Sequence, residues 1–233
     1  MIRRRNTLAF TMIELMLAMS FVAILMMAIT FLTIHVSNLY TRGVTLKEVN
    51  QTGLAITEDM QRTIGATAPF DINQGSGTSR YVEVADRGGR LCTGQYSYAW
   101  NYANSLQGHA LPYTTYQDTN KPVRLVRVLD PEAYLCRTAM NNVIDPAKTT
   151  NLLQAGERDL ALYSFTISTN AASSFVSQAL YTVSFTLGTI QEGQIDSVNK
   201  TCKPPKEGVG YEDYCAINEF NIVVRAGNSE GNE

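Results

Sequence analysis

The chain has 233 residues, 45% of them apolar, with 19 Lys and Arg against 21 Asp and Glu for a formal charge of -2. That length allows one ordinary domain with a proper core, and the slightly acidic balance argues against broad nucleic-acid binding. Two His and four Cys, with no Cys-x-x-Cys, His-x-x-x-His or His-Glu-x-x-His, give no metal site by spacing.

The chain opens with a basic head, Arg3, Arg4 and Arg5, and no Pro or Gly interrupts it from Phe10 through Thr41. From Leu15 to Ile34 the only polar side chains are Ser20, Thr30 and Thr33. At about 1.5 Å per residue this run crosses a hydrocarbon core of roughly 30 Å, which predicts a transmembrane helix. Basic residues ahead of the span keep the N-terminus in the cytoplasm and send the rest outward, a single pass through the cytoplasmic membrane. A cleaved secretory signal has a shorter apolar region of about 7 to 15 residues and a small-x-small exit, whereas this run leaves through Ile34-His35-Val36-Ser37. An ordinary anchor fits the length but gives no reason for Glu14, a carboxylate at the mouth of the span, where an ionised group is costly and tends to mark function.

The stretch Ala9-Phe10-Thr11-Met12-Ile13-Glu14-Leu15-Met16 resembles the start of the type IV pilin and type II secretion pseudopilin family, whose precursors carry a short basic leader, a small residue, Phe, Thr, an aliphatic pair and Glu. The family nearly always has Gly before the cut, where this chain has Ala9. The resemblance implies a leader over residues 1–9, cleavage between Ala9 and Phe10 by a prepilin peptidase and N-methylation of Phe10. It also implies assembly through Glu14, whose carboxylate meets the amine of an adjacent subunit. Phe10 and Glu14 are four apart, on one helix face, and fixing register is the best-attested use of a buried ion pair. Without the leader's three Arg the chain has a net charge of -5.

Beyond Ile34 the helical period continues. Val36, Leu39, Leu46, Val49, Ile56, Met60 and Ile64 form an apolar stripe suited to packing on a sheet, with Glu48, Glu58, Asp59, Gln61 and Arg62 largely opposite. One helix is predicted from Thr11 to Ile64, a spine over 10–34 and an amphipathic half over 35–64, ended by Gly65 and Pro69. Gly43 and Gly53 each cost about 1 kcal/mol relative to Ala there and read as tolerated. Residues 65–233 form the extracytoplasmic, β-rich head.

Asp71 to Ser79 reads as a surface loop, and Tyr81–Ala85 and Val123–Leu129 as β runs. Between them Tyr96, Tyr98, Trp100, Tyr102, Tyr113 and Tyr116 are interleaved with polar residues; they either form an exposed contact surface or cover a flank of the core. Alternation at Tyr163, Phe165 and Ile167, at Tyr181, Val183, Phe185 and Leu187, and at Phe220, Ile222 and Val224 predicts three half-buried strands. The economical fold is α+β, an antiparallel sheet laid on the long helix, which is also what the resemblance implies. Asn170–Ser174 and Gln191–Tyr214 provide connections, and the tail from Gly227 frays.

All four Cys lie on the translocated side, where disulfides persist. By spacing alone three pairings, or free thiols, stay open. The resemblance implies a Cys202–Cys215 loop like that near the C-terminus of many pilins, and Cys92 with Cys136. Asp196, Glu212 and Asp213 lack the spacing of a Ca²⁺ loop and read as solvated charges. Arg80, Arg87, Arg90, Lys121, Arg124 and Arg127 read as partners of surface carboxylates. Nucleophile-elbow, P-loop and dinucleotide patterns are absent, so neither catalysis nor a cofactor is expected. The size and loop content resemble a minor, structural pilin or pseudopilin; a tip-displayed adhesin or DNA receptor is the alternative. The partners implied are other pilin subunits, the prepilin peptidase and N-methyltransferase, the membrane assembly platform, and lipid before assembly.

Overall fold

The computed structural model describes residues 11–73, 79–137, 143–153, 159–169, 178–190, 195–196, 199, 201–203 and 215–227. Helix α1 runs from Met12 to Gly65, 54 residues and about 80 Å long, within a residue of the expected ends. Every residue from Thr11 to Tyr40 is exposed, and this apolar half is long enough to cross a membrane. Its hydroxyls are compatible with lipid because each bonds within the helix: Ser20 donates to the Leu17 carbonyl at 3.0 Å, and Thr30 and Thr33 to those of Met26 and Ile29 at 2.8 Å.

Burial begins at Thr45 and continues through Val49, Gly53, Ile56, Met60 and Ile64. The expected stripe is therefore too long, since Val36, Leu39 and Leu46 are exposed; the helix stands clear of the head until Thr45.

The head contains strands β1 (Tyr81–Val84), β2 (Gly88–Cys92), β3 (Tyr96–Asn101), β4 (Thr115–Tyr116), β5 (Leu125–Leu129), β6 (Val143–Ile144), β7 (Thr149–Leu153), β8 (Leu160–Thr169), β9 (Ala179–Thr189), β10 (Ile195–Asp196), β11 (Thr201–Cys202) and β12 (Ile217–Ala226), with short helices α2 (Ala103–Leu106) and α3 (Tyr134–Arg137). Two antiparallel sheets carry the architecture: β12-β9-β8, the sheet expected from alternation, and β1-β2-β3-β5-β7. Two-stranded pairs β4-β6 and β10-β11 are peripheral. In β8 the register shifts between Leu162 and Ser164, so Leu162 and Phe165 are buried while Tyr163 is displaced from the face it was expected to share. The connection Asn170–Ser174 lies outside the described residues, as do most of Gln191–Tyr214 and the tail beyond Gly227.

Helix α1 lies beside β12, running the same way. The Asn218 amide donates to Asn50 Oδ1 at 2.8 Å, Phe220 sits over Gly53, and the Arg225 carbonyl lies next to Gly65. Fifteen helical residues rise about 22 Å and seven strand residues about 23 Å, so helix and strand advance in step. Gly53 is not merely tolerated: a Cβ there would come within 2.0 Å of the Phe220 ring. From that ring an aromatic row crosses the core, Phe220 to Phe185 at 5.2 Å, Phe185 to Phe165 at 6.5 Å, and Phe165 to Trp100 at 4.3 Å between centroids.

Trp100 belongs to the second sheet, and with Tyr98 it is fully buried; Tyr102 and Tyr113 are buried as well. The aromatic stretch is thus core rather than contact surface. Strand β3 buries both faces, Tyr98 and Trp100 against the helix-side core and Ala99 against a second cluster with Cys92, Val126 and Leu135. Gly89 makes room for the indole, since a Cβ there would lie 2.6 Å from it.

The two helix glycines therefore predict opposite signs. Gly53→Ala gains about 1 kcal/mol of helix propensity but overpacks Phe220 at a cost of about 1–3 kcal/mol, so a net loss is expected. Gly43→Ala, with nothing within 4 Å of its Cβ, keeps the gain. Denaturant unfolding of the full chain in detergent measures both; stabilisation by Gly53→Ala would show that the ring gives way freely.

Candidate functional site

The helix starts at Thr11, whose backbone is extended (φ -77°, ψ 150°). Its Oγ1 accepts from the Glu14 N–H at 3.3 Å, while Glu14 Oε2 accepts from the Thr11 N–H and hydroxyl, both at 3.0 Å. This is a capping box, which satisfies donors at a helix end that has no preceding turn, and the carboxylate also favours the positive end of the helix dipole. The expectation that an ordinary anchor gives Glu14 no reason to exist is corrected, because Glu14 has a local one. Thr11-x-x-Glu14 ahead of an apolar run is the signature that reveals it. Both described donors reach Oε2; among the described residues nothing engages Oε1. Ala9 and Phe10 lie outside the described residues.

The other end of the helix is held by a charge. Asp59, expected on the outer side, is buried. Its Oδ1 pairs with Arg62 at 3.1 Å and with Arg127 of β5, and its Oδ2 accepts from the Tyr98 hydroxyl at 2.8 Å. Arg127 also lies over the Tyr96 ring, 4.8 Å from its centroid. Tyr98 and Arg127 come from the five-stranded sheet, while Arg62 is on α1 itself, so this pin attaches that sheet to the flank of α1, next to the face that β12 covers. Nearby, Tyr81 and Tyr102 donate to the two oxygens of Glu83 at 2.7 and 2.6 Å. Burial, reinforced by the neighbouring carboxylates, pushes the pKa values of Tyr81, Tyr98 and Tyr102 well above the ordinary phenol value.

Cys92 bonds to Cys136 with Cα atoms 6.3 Å apart, and Cys202 to Cys215 at 5.9 Å. The first ties α3 to β2, and the second joins β11 to the residues just before β12. Of the expected surface bases, Arg124 pairs as expected with a surface carboxylate, Asp159, at 3.0 Å, whereas Arg90 is buried and donates to the Leu135 carbonyl at 2.6 Å and Arg87 donates to the Leu111 and Pro112 carbonyls instead of a carboxylate. Asp196 accepts from Asn199; Glu212 and Asp213 lie outside the described residues. Among the described residues no group of three or more His, Cys, Asp or Glu is placed to hold a metal ion.

No family model, curated protein or solved structure matches the chain.

Two outcomes follow from this chemistry. A folded-state tyrosine pKa above the unfolded value of about 10 contributes stability present below that pH and lost as pH rises beyond it. Tyrosinate absorbance from Tyr81, Tyr98 and Tyr102 should therefore appear only together with loss of near-UV circular dichroism. Ionisation of all 12 tyrosines in a folded head would contradict the burial. Reducing Cys92–Cys136 should cost about 2–4 kcal/mol, and alkylation without prior reduction should leave the intact mass unchanged.

Proposed function

We propose that the chain is a prepilin-like structural subunit of a type IV pilus or a type II secretion pseudopilus, of the minor class. One observation carries the reading. The apolar, lipid-length half of α1 is exposed over its whole surface and continues without a break into the half that forms the head's core. A simple anchor can be joined to its domain by any linker, whereas a filament spine must hold each head at a fixed height and angle. The start of the chain supports the same reading through Ala9-Phe10-Thr11-Met12-Ile13-Glu14. Cleavage after Ala9 frees an amine at Phe10, which becomes methylated. Glu14, already bonded to its own Thr11 through Oε2, offers Oε1 to the amine of a neighbouring subunit.

In this reading the precursor waits in the cytoplasmic membrane with its N-terminus inside and its head outside. The prepilin peptidase trims it, and the assembly platform lifts it into a filament beside other pilin subunits. Its role is structural, not catalytic. The tip-displayed adhesin or DNA receptor loses its supporting feature, because Tyr98, Trp100, Tyr102 and Tyr113 are buried.

The capping box sharpens the test. Gln at the third helical position preserves a capping box but removes the charge that would fix register. Glu14→Gln should therefore keep membrane insertion, head folding and cleavage, with Phe10 as the first residue by mass spectrometry, while recovery in sheared filaments is largely lost. Wild-type recovery would reduce Glu14 to a helix cap, and an intact Met1 in assembled filaments would overturn the subunit reading itself.

A further inference from the structure

Among the described residues of the head, five large apolar side chains are exposed: Leu111, Leu129, Tyr134, Val143 and Val223. Three of them, Leu129, Tyr134 and Val143, are 51%, 53% and 41% exposed and line one groove of about 520 Å³. Exposed apolar side chains scattered singly need no explanation, but several gathered in one concavity mark an interaction site. The groove is also rigidly built. Asp130 at its floor accepts from Ser97 Oγ at 2.7 Å and from the Tyr134 and Leu135 amides at 2.8 and 3.0 Å. The turn that carries its rim holds Ala133 at φ 52°, a left-handed conformation that a non-glycine residue adopts only under constraint. The Cys92–Cys136 bond fastens the helix behind it, α3, to β2.

We propose that this groove is a docking site for a basic, aliphatic segment of another protein. Its solvent-accessible charged lining consists of Glu132 and Asp145 against one cation, Lys148, since the Asp130 carboxylate is buried and taken up by its three donors. Neither Glu132 nor Lys148 has an ion-pair partner among the described residues. Two accessible carboxylates to one ammonium attract Lys and Arg and disfavour an anionic lipid surface. They also disfavour a second copy of this chain, whose own formal charge is -2. Apolar side chains of the partner would fill the space between Leu129, Tyr134 and Val143, and a Lys or Arg beside them would meet Glu132 and Asp145. The groove belongs to the head alone and is independent of whether the chain enters a filament.

A random-peptide display library selected against the full-length protein in detergent micelles tests this. Enriched peptides should combine Lys or Arg with aliphatic residues. Binding of the best synthetic peptide, followed by fluorescence anisotropy, should weaken roughly tenfold or more with Leu129→Ser and with Glu132→Lys, and Val223→Ser should leave it unchanged. Both groove positions are exposed, so the melting transition of each variant should match the parent and separate lost docking from lost folding. No enrichment, enrichment of acidic or uncharged peptides, or binding indifferent to both variants would overturn the proposal. Self-association of the full chain abolished by Glu132→Lys would also overturn it and assign the groove to a second copy.

Discussion

The head is built against a helix whose direction and rotation are set elsewhere. Because α1 runs unbroken from Met12 to Gly65, the face that the head can use is fixed by the same 3.6-residue winding that continues through the exposed apolar half further up. That face is narrow: Val49, Gly53, Ile56, Met60 and Ile64 recur at steps of three and four. Strand β12 takes it by matching the helix rise and by setting Phe220 into the gap left at Gly53. The second sheet must approach from the flank, where a polar contact is the available handhold. A lone carboxylate would be costly at that depth, but Asp59 has Tyr98, Arg62 and Arg127 as partners. Loss of Arg127, the less exposed of its two cations, would leave the buried carboxylate with only the solvent-exposed Arg62 to balance its charge.

The features legible in the sequence were those with a single solvent boundary. The head-bound half of the helix, the first half of β9 and strand β12 each have one wetter and one drier side, so their periods of 3.6 and 2 report the fold directly. Strands β2 and β3 were not legible because they are dry on both sides. Gly88, Gly89 and Arg90 carry no apolar alternation, and Tyr96 to Asn101 reads as a polar, aromatic mixture until Trp100 and Ala99 are seen to enter different clusters. Asp59 was misplaced for a related reason. A charged residue is assigned to water by default, and the partners that draw it inward, Tyr98 and Arg127, lie 39 and 68 residues away in sequence.

The start of the helix shows the converse. Glu14 stood out as a charge in an apolar context, and its local partner, Thr11, was readable three residues before it. A carboxylate can cap its own helix and still present a free oxygen outward, so local and intermolecular roles do not compete for the same atom. The disulfides occupy a middle ground. Four Cys suggest bonds, but the spacing allows three pairings, and only the fold brings β2 to α3 and β11 to the approach of β12.

The parallel, in-step course of helix and β12 has a mechanical consequence. Tension applied along α1 reaches the head between Asn50 and Gly65, where side chains are seated along about 22 Å of contact. Such a pull is directed along the seam and loads those contacts together in shear, instead of peeling them apart one by one as a perpendicular force would. The Phe220 ring under Gly53 then acts as a stop against sliding, and the Asp59 pin shares the strain with the second sheet. A head held this way resists extraction by its helix through contacts that must all give way at once.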